Sequence, residues 1–553
     1  MEILRIENLN FQYVNEEKLV LNDINMSIEE GDFLVLCGAT GSGKTTLLKM
    51  LKREIAPNGN KKGTIFYQGK DLKEYDDKEL VSEIGYVFQN PDSAIVTDKV
   101  WHELAFGLEN LGYDNQNIRM KVGEIANYFD MQTWFDMDTD NLSGGQKQIL
   151  NLASVMVMQP KVLLLDEPTS QMDPVSASNF FQTLKKINHE LGTTIIIIEH
   201  RLEEIFLLAD KIALLDEGKL VVYDEVKKAS KEILNYSNIN INIPTPLKLY
   251  HELKCEDDVP LTIKEGKKLL EKYNLSKNFQ YDKPLLREKN KAIEIKNGWF
   301  RYSKNSKDIL KGIDLDIRIG EVYSLIGGNG VGKSTLVNVI ANNLKLYTGN
   351  VKINEKSISK YKNNSLYIEN LVVLPQNPDD LFVSEKVNDE LYEMKNIYSD
   401  DFENRVKELI NEFSLEKLLN RHPYDLSGGE KQKVALAKIL LLNPKIILFD
   451  EPTKGLDWTS KIRLVEIIKK LKKKNVTCFL VTHDIEFASL VSDYCGLLFN
   501  GTIVSENSSN LFFKNNHFYT TATNKLMREI NDNIVIYDDM IKWIKENSYE
   551  KGN

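Results

Sequence analysis

The chain has 553 residues, with 71 Lys and Arg against 81 Asp and Glu, for a net charge of −10. That length exceeds what one hydrophobic core organises, so two or more domains are expected. With 42% hydrophobic and 27% charged residues it reads as globular rather than disordered or fibrous. The acidic balance counts against a protein whose main work is neutralising nucleic-acid phosphates.

The N-terminus, MEILRIENLNF, lacks the basic start and apolar stretch of a secretory signal. The longest apolar runs, such as 162–165 and 195–198, are strand-sized. A bilayer-crossing helix needs about 20 apolar residues. A protein kept inside the cell, with no membrane span of its own, is expected. Cys37, Cys255, Cys478 and Cys495 form no CxxC pair, which argues against a disulfide framework, a zinc ribbon or an iron–sulfur cluster. Cys37 and Cys478 lie in apolar runs and read as small buried hydrophobes.

The same phrases occur twice along the chain. GATGSGKTT at 38–46 returns as GGNGVGKST at 327–335, and FQNPD around Gln89 returns as PQNPD around Gln376. LSGGQKQ from Leu142 returns as LSGGEKQ from Leu426, and VLLLDEPT from Val162 as IILFDEPT from Ile446. IIEH ending at His200 returns as LVTH ending at His483. The spacing between matched phrases drifts only slightly, as two copies of one domain require. The first copy is expected over 1–230 and the second over 292–510. Between them, 231–291 reads as a packed linker with short helices, including an amphipathic run at 263–273. A helical tail is expected over 511–553, where Ile534, Met540, Ile541, Trp543 and Ile544 recur with helical spacing.

Within each copy, a β-branched run precedes the glycine-rich loop and a helical pattern follows it. Two further apolar runs end in Asp-Glu and in His. Strands that are apolar throughout and alternate with amphipathic helices indicate an α/β fold with a mostly parallel sheet core. The charged, helix-patterned stretches 92–140 and 379–424 read as a helical subdomain inserted in each core.

The loop Gly38, Gly41, Gly43, Lys44, Thr45 fits G-x-x-x-x-G-K-[ST], and Gly327, Gly330, Gly332, Lys333, Ser334 fits it again. Glycines let backbone N–H groups wrap phosphate oxygens, and the helix that follows presents its positive end. The lysines supply charge to the β- and γ-phosphates, and the Thr45 and Ser334 hydroxyls are placed to ligate Mg²⁺. Asp166 and Asp450 end buried strands, where each carboxylate can hold Mg²⁺. Glu167 and Glu451 beside them could orient or deprotonate an attacking water. Ser143, Gly144, Gly145 and Ser427, Gly428, Gly429 open helices whose exposed amides suit a γ-phosphate arriving from another direction.

Together these motifs resemble the ATP-binding-cassette family, and the resemblance covers both repeats. It implies tandem P-loop ATPase domains using ATP and Mg²⁺. Gln89 and Gln376 match the glutamine loop and imply a further Mg²⁺ contact; His200 and His483 match the switch histidine. Residues 170–173 and 454–457 match the D-loop, and Tyr13 and Tyr302 match the aromatic that stacks on adenine. Thr46 and Thr335 complete the two phosphate loops. Departures are small: Gln171 and Met172 in the first D-loop and Glu430 in the second signature. In that family two cassettes close head to tail, each nucleotide lying between one cassette's phosphate loop and the other's signature. The resemblance therefore implies intramolecular pairing and two hydrolytic sites, since both sets are complete.

The wording after each glutamine, IEHRLEEI, PLTIKEG and NHFYTTATNKL further resemble the fused double-cassette ATPase of energy-coupling-factor (ECF) importers. That likeness implies import of a vitamin, vitamin precursor or transition-metal ion. It implies a peripheral place on the cytoplasmic face of the membrane, beside a transmembrane coupling subunit and a substrate-binding membrane subunit. Glu103 and Glu390, matched after the glutamines, are candidate acidic contacts for an arginine of the coupling subunit, with a solvated helix face as the alternative. Two other readings are a tandem cassette acting on ribosomes and a tandem sugar-importer ATPase. The linker's mixed charge disfavours the first.

Overall fold

A strand with no polar face needs cover on both sides, and alternation of side chains shows how that cover is supplied. The computed structural model describes all residues except 15, 171, 237–242, 256–257, 274, 276–286, 288–289, 363–364, 369, 397–401 and 548–553. Gln171 of the first D-loop and parts of the expected linker and tail therefore lie outside the described residues. The chain divides into two units, Met1–Gly266 and Lys267–Asn553.

The first unit's strands are β1 (Glu2–Tyr13), β2 (Leu21–Glu29), β3 (Phe33–Cys37), β4 (Gly59–Tyr67), β5 (Lys70–Asp71), β6 (Ile84–Val87), β7 (Val162–Asp166), β8 (Thr194–Ile198), β9 (Lys211–Asp216) and β10 (Lys219–Glu225). Its main helices are α1 (Lys44–Met50), α2 (Val100–Leu111), α3 (Asn115–Tyr128), α4 (Gly144–Met156) and α5 (Pro174–Leu191). Helices α6 (Thr245–Glu252) and α7 (Ile263–Glu271) follow. A six-stranded sheet runs β10-β9-β3-β8-β7-β6, parallel except for the β9–β10 edge. Beside it stands an antiparallel sheet, β2-β1-β4-β5. The parallel core is as expected; the separate antiparallel sheet is an addition.

Leu34, Leu36, Leu164 and Ile196 point to the side packed by α1 and the antiparallel sheet. Phe33, Val35, Leu163 and Ile195 point to the side packed by Phe180, Leu184 and Ile187 of α5. One apolar run thus feeds two cores. The helical insertion has a core of its own, in which Val100, Leu104 and Leu108 meet Ile118, Val122 and Leu150.

The second unit repeats the plan with β11 (Lys291–Phe300), β12 (Leu310–Arg318), β13 (Val322–Ile326), β14 (Thr348–Ile353), β15 (Lys356–Ser357), β16 (Leu371–Leu374), β17 (Ile446–Asp450), β18 (Thr477–Thr482), β19 (Tyr494–Phe499) and β20 (Thr502–Ser508). Its sheets run β16-β17-β18-β13-β19-β20 and β12-β11-β14-β15. Its helices include α8 (Lys333–Ile340), α9 (Val387–Tyr392), α10 (Phe402–Phe413), α11 (Gly428–Leu440), α12 (Trp458–Lys473), α13 (Ile485–Val491), α14 (Ala522–Met527) and α15 (Tyr537–Asn547).

The repeat extends past each core. The first helical amide of α6, at Thr245, donates to Glu203 Oε1 at 2.9 Å. The amide of Ala522, which opens α14, donates to Glu486 Oε1 at 2.8 Å. In the tail, Met540, Ile541 and Ile544 of α15 are buried, and Val535 packs with Phe512, Phe513 and Ile326. Cys37, Cys478 and Cys495 are buried free thiols, and burial pushes each up to about 12.

The reading of Glu103 and Glu390 as partner contacts or solvated residues is corrected by their burial, 5% and 0% exposed. Glu103 accepts the Val96 and Thr97 amides at 3.1 and 2.9 Å, and the Thr97 hydroxyl at 2.9 Å. Glu390 accepts the Val383 and Ser384 amides at 2.5 Å and pairs with Lys438 Nζ at 2.5 Å. Glu393 is a second partner of Lys438. The carboxylates face inward because the loop after each glutamine folds over its helix and needs acceptors for its amides. Truncating Glu390 to Ala frees two loop amides and takes one of two carboxylates from the buried Lys438, which keeps Glu393, and should cost about 3 kcal/mol. Glu103→Ala strands neutral donors and should cost about 1–3 kcal/mol. Chemical denaturation of both variants checks the order.

Candidate functional site

Strand β3 lies between β8 and β9, where the strand order reverses, so the loop after Cys37 opens at the crevice that receives ligands in such sheets. β13 lies likewise between β18 and β19. Gly43 opens α1 at φ 98°, and a Cβ there would stand 2.8 Å from the Val20 carbonyl oxygen. Only glycine fits that close, left-handed corner. Gly332 opens α8 in the same way at φ 106°. Gly38 and Gly327 press on the Leu215 and Leu498 carbonyls, whereas Gly41 and Gly330 have open space where a side chain would be.

Lys44 Nζ bridges the Gly38 and Ala39 carbonyls at 2.9 and 2.8 Å. Lys333 Nζ bridges those of Gly327 and Gly328, both at 2.9 Å. Each ammonium is thereby held across the mouth of its loop. Thr45 Oγ1 donates to Asp166 Oδ1 at 3.0 Å, and Ser334 Oγ to Asp450 Oδ1 at 3.0 Å. These hydroxyl–carboxylate pairs are hard oxygen donors that fit Mg²⁺, an ion that keeps several ligands from water and phosphate. When bound, the ion neutralises charge on the phosphate oxygens. The Tyr13 and Tyr302 hydroxyls lie 3.1 Å from Thr46 Oγ1 and Thr335 Oγ1, which brings the antiparallel sheet to the loop.

Glu167 and Glu451 follow their aspartates with φ of 45° and 48°, a costly left-handed backbone for a side chain of that size. Bonds from their amides to the Ile198 and Val481 carbonyls, 3.0 and 2.9 Å, hold them there. Glu167 meets His200 Nε2 at 2.8 Å and accepts from Gln89 Nε2 at 2.8 Å. Glu451 lies 2.9 Å from His483 Nδ1 and 3.0 Å from Lys333 Nζ; Gln376, like Gln89, is exposed. Burial opposes ionisation of Glu451, but His483 and Lys333 outweigh it and hold the carboxyl below its usual range. Burial raises Asp450 to about 6, with Glu451 adding and the Ser334 bond opposing. Asp166 is raised by burial too, against the bond from Tyr86.

Ser143 caps α4 in a reciprocal box with Gln146, and Ser427 caps α11 in the same box with Glu430. The glutamate that departs from the usual signature therefore does the same capping work as glutamine. The serines and Gly144 and Gly428 are exposed; Gly145 and Gly429 back onto Ser176 and Ser460. Lys147 and Lys431 reach from these helices to Asp92 and Asp379 after the glutamines, at 2.6 and 2.9 Å.

Each unit thus brings its own phosphate loop, aspartate, glutamate, histidine and upstream tyrosine together. Sequence reasoning missed Tyr86, whose buried hydroxyl donates to Asp166 Oδ2 at 3.0 Å. Val373 stands at the matching place in β16. It also missed the lysine–aspartate ties, which the repeat itself would have revealed, since both pairs recur.

A phosphate loop at a sheet crevice, joined to a strand-end carboxylate and a glutamate–histidine pair, defines a P-loop ATPase. The family model described as ABC transporter matches residues 21–170 and 310–454. The chain belongs to the ABC transporter family, as a tandem pair of ATP-hydrolysing domains that use ATP and Mg²⁺. It is 39% identical over 95% of both chains to a protein of Bacillus thuringiensis subsp. konkukian named "Putative ABC transporter ATP-binding protein". A protein of Methanosarcina acetivorans with the same description is 33% identical, over 93% of this chain and 86% of that one. Among solved structures, cbiO1 of Clostridium perfringens, part of the ABC transporter complex cbiONQ, is 33% identical over 43% of this chain and 94% of that chain, with a TM-score of 0.39. The archaeal ribosome recycling factor aABCE1, solved with ribosomal stalk protein aP1, matches 92% of this chain and 91% of its own at a TM-score of 0.58. At 21% identity that is a likeness of fold alone. No helix among the described residues is long and apolar enough to cross a membrane.

An acid raised to about 6 stays protonated, and so cannot hold a cation, below that pH. In Lys44→Ala, which should silence nucleotide binding by the first unit, Mg²⁺-dependent ATP affinity is expected to fall about tenfold per pH unit below 6. Titration with a fluorescent ATP analogue reads this; flat affinity across that range would contradict the role given to Asp450.

Proposed function

We propose that this chain is the ATP-hydrolysing subunit of an ECF-type importer, driving separate transmembrane subunits that carry a vitamin, a vitamin precursor or a transition-metal ion. The reading begins with the two complete motif sets. In each, Lys44 or Lys333 holds the β- and γ-phosphates, and Thr45 with Asp166, or Ser334 with Asp450, holds Mg²⁺. Glu167 and Glu451 orient or deprotonate the attacking water, and His200 and His483 fix those glutamates. The serine–glycine helix starts, Ser143 to Gly145 and Ser427 to Gly429, offer exposed amides for a γ-phosphate.

The observation that carries the transport half of the reading is the segment after each glutamine. Glu103 and Glu390 hold its backbone from inside, leaving Val96 and Val383 exposed at 62% and 74%. Trp101 and Phe106 of α2 are exposed nearby in sequence. Apolar residues pinned outward on a rigid loop suit a partner surface better than water. The coupling contact is therefore assigned to this apolar rim rather than to the two glutamates. The lysine–aspartate ties from the same loop to the signature helices give a route by which a partner feels the nucleotide.

Glu167→Gln and Glu451→Gln should each reduce steady-state ATP turnover, and together by about a hundredfold or more, with ATP affinity retained. Full turnover in the double variant would refute the base role. Affinity purification from detergent-solubilised membranes should bring down transmembrane polypeptides, and Val96→Asp with Val383→Asp should release them. A chain that stays out of the membrane fraction and sediments with ribosomes would overturn the importer reading.

A further inference from the structure

The two units differ where the third strand of each site ends. In the first unit β8 is followed by Glu199, His200 and Arg201, and Glu199 is only 3% exposed. Its Oε1 accepts the Thr169 amide at 2.9 Å and the Thr169 hydroxyl at 2.5 Å. Its Oε2 accepts the His200 amide at 3.0 Å. Arg201 Nη2 donates to the Met172 carbonyl at 2.5 Å. Thr169 and Met172 belong to the stretch that joins Glu167 to α5, whose N-cap is Asp173. A buried carboxylate is tolerated only where donors surround it, and these charge-assisted bonds are stronger than neutral ones.

The second unit has Thr482 and Asp484 in those two places. Thr482 Oγ1 accepts the Asp484 amide at 3.0 Å. The Asp484 carboxylate accepts the Phe487 amide at 3.0 Å and pairs with Lys461 of α12 at 2.6 Å. An aspartate has no proton to donate to a D-loop carbonyl at neutral pH. The same strand end is therefore tied to a helix in one unit and to the D-loop in the other.

We propose that Glu199 and Arg201 are positioning residues that clamp the D-loop of the first unit to its histidine strand, setting Glu167 and His200 in register. The inference rests on the site reading above and deepens it. In the wild-type protein, amide hydrogen exchange at Thr169 should be about tenfold slower than at Thr453, its counterpart in the second unit. Arg201→Ala and Glu199→Thr should each speed exchange at Thr169, leave Thr453 unchanged and lower turnover about tenfold. ATP affinity, read by equilibrium binding, should hold in both. Arg201→Lys keeps a donor for the Met172 carbonyl and should restore most of the turnover.

Equal exchange at the two threonines, or turnover unaffected by both variants, would overturn the clamp. So would a parallel loss of ATP affinity, or an Arg201→Lys no better than Arg201→Ala. Glu167→Gln, measured alongside, separates the two claims: if it retains full turnover the site reading fails, whatever the exchange data show.

Discussion

A carboxylate at the end of a strand buried on both faces stays useful only if donors meet it, and each unit meets it with the hydroxyl that follows its phosphate-loop lysine. The bonds from Thr45 to Asp166 and from Ser334 to Asp450, both 3.0 Å, join the first helix of the site to a strand remote in sequence. They hold together two oxygens that suit Mg²⁺ and align the loop with the glutamate next in line. Register does the rest. Asp166 is level with Ile198 in β8, and Asp450 with Val481 in β18, so each histidine arrives beside its glutamate.

Identical motifs do not make identical sites. Asp166 receives a second bond from Tyr86, while Asp450 has a valine in the matching strand and takes its side-chain bond from Ser334. Glu167 is held by Gln89 and His200, whereas Glu451 leans on Lys333 and His483. In the second unit Lys333, proposed to hold phosphate, also meets Glu451, proposed to orient the water. Duplication preserved the chemistry-bearing residues while the residues around them diverged in charge and reach.

The insertions show a related economy. Glu390 serves two loop amides and a buried lysine with one carboxylate, and Glu103 does the corresponding work where Ser154 replaces that lysine. Both stabilise a loop rather than present charge. The exposed face is left to Val96 and Val383, whose position depends on the glutamates behind them. Serine boxes at the signature helices work the same way: Gln146 and Glu430 differ in charge but close the same turn.

The duplication, the phosphate loops, the strand-end acids and the histidines were legible from sequence because they are local: spacing within a strand–loop–helix decides them. Apolar runs of five residues likewise implied strands covered twice, since no alternation could leave a face for water. The direction of Glu103 and Glu390 was not legible, because a glutamate on a charged helix reads as solvated until the loop folding over it is known. Nor was the pairing of Tyr86 with Asp166, or of Glu199 with Thr169, which join residues 80 and 30 positions apart. Sequence alone singled out the groups proposed to carry the chemistry. Tertiary structure decided which of them are neutralised, clamped or left free, because buried charge is settled by donors that distant segments bring to it.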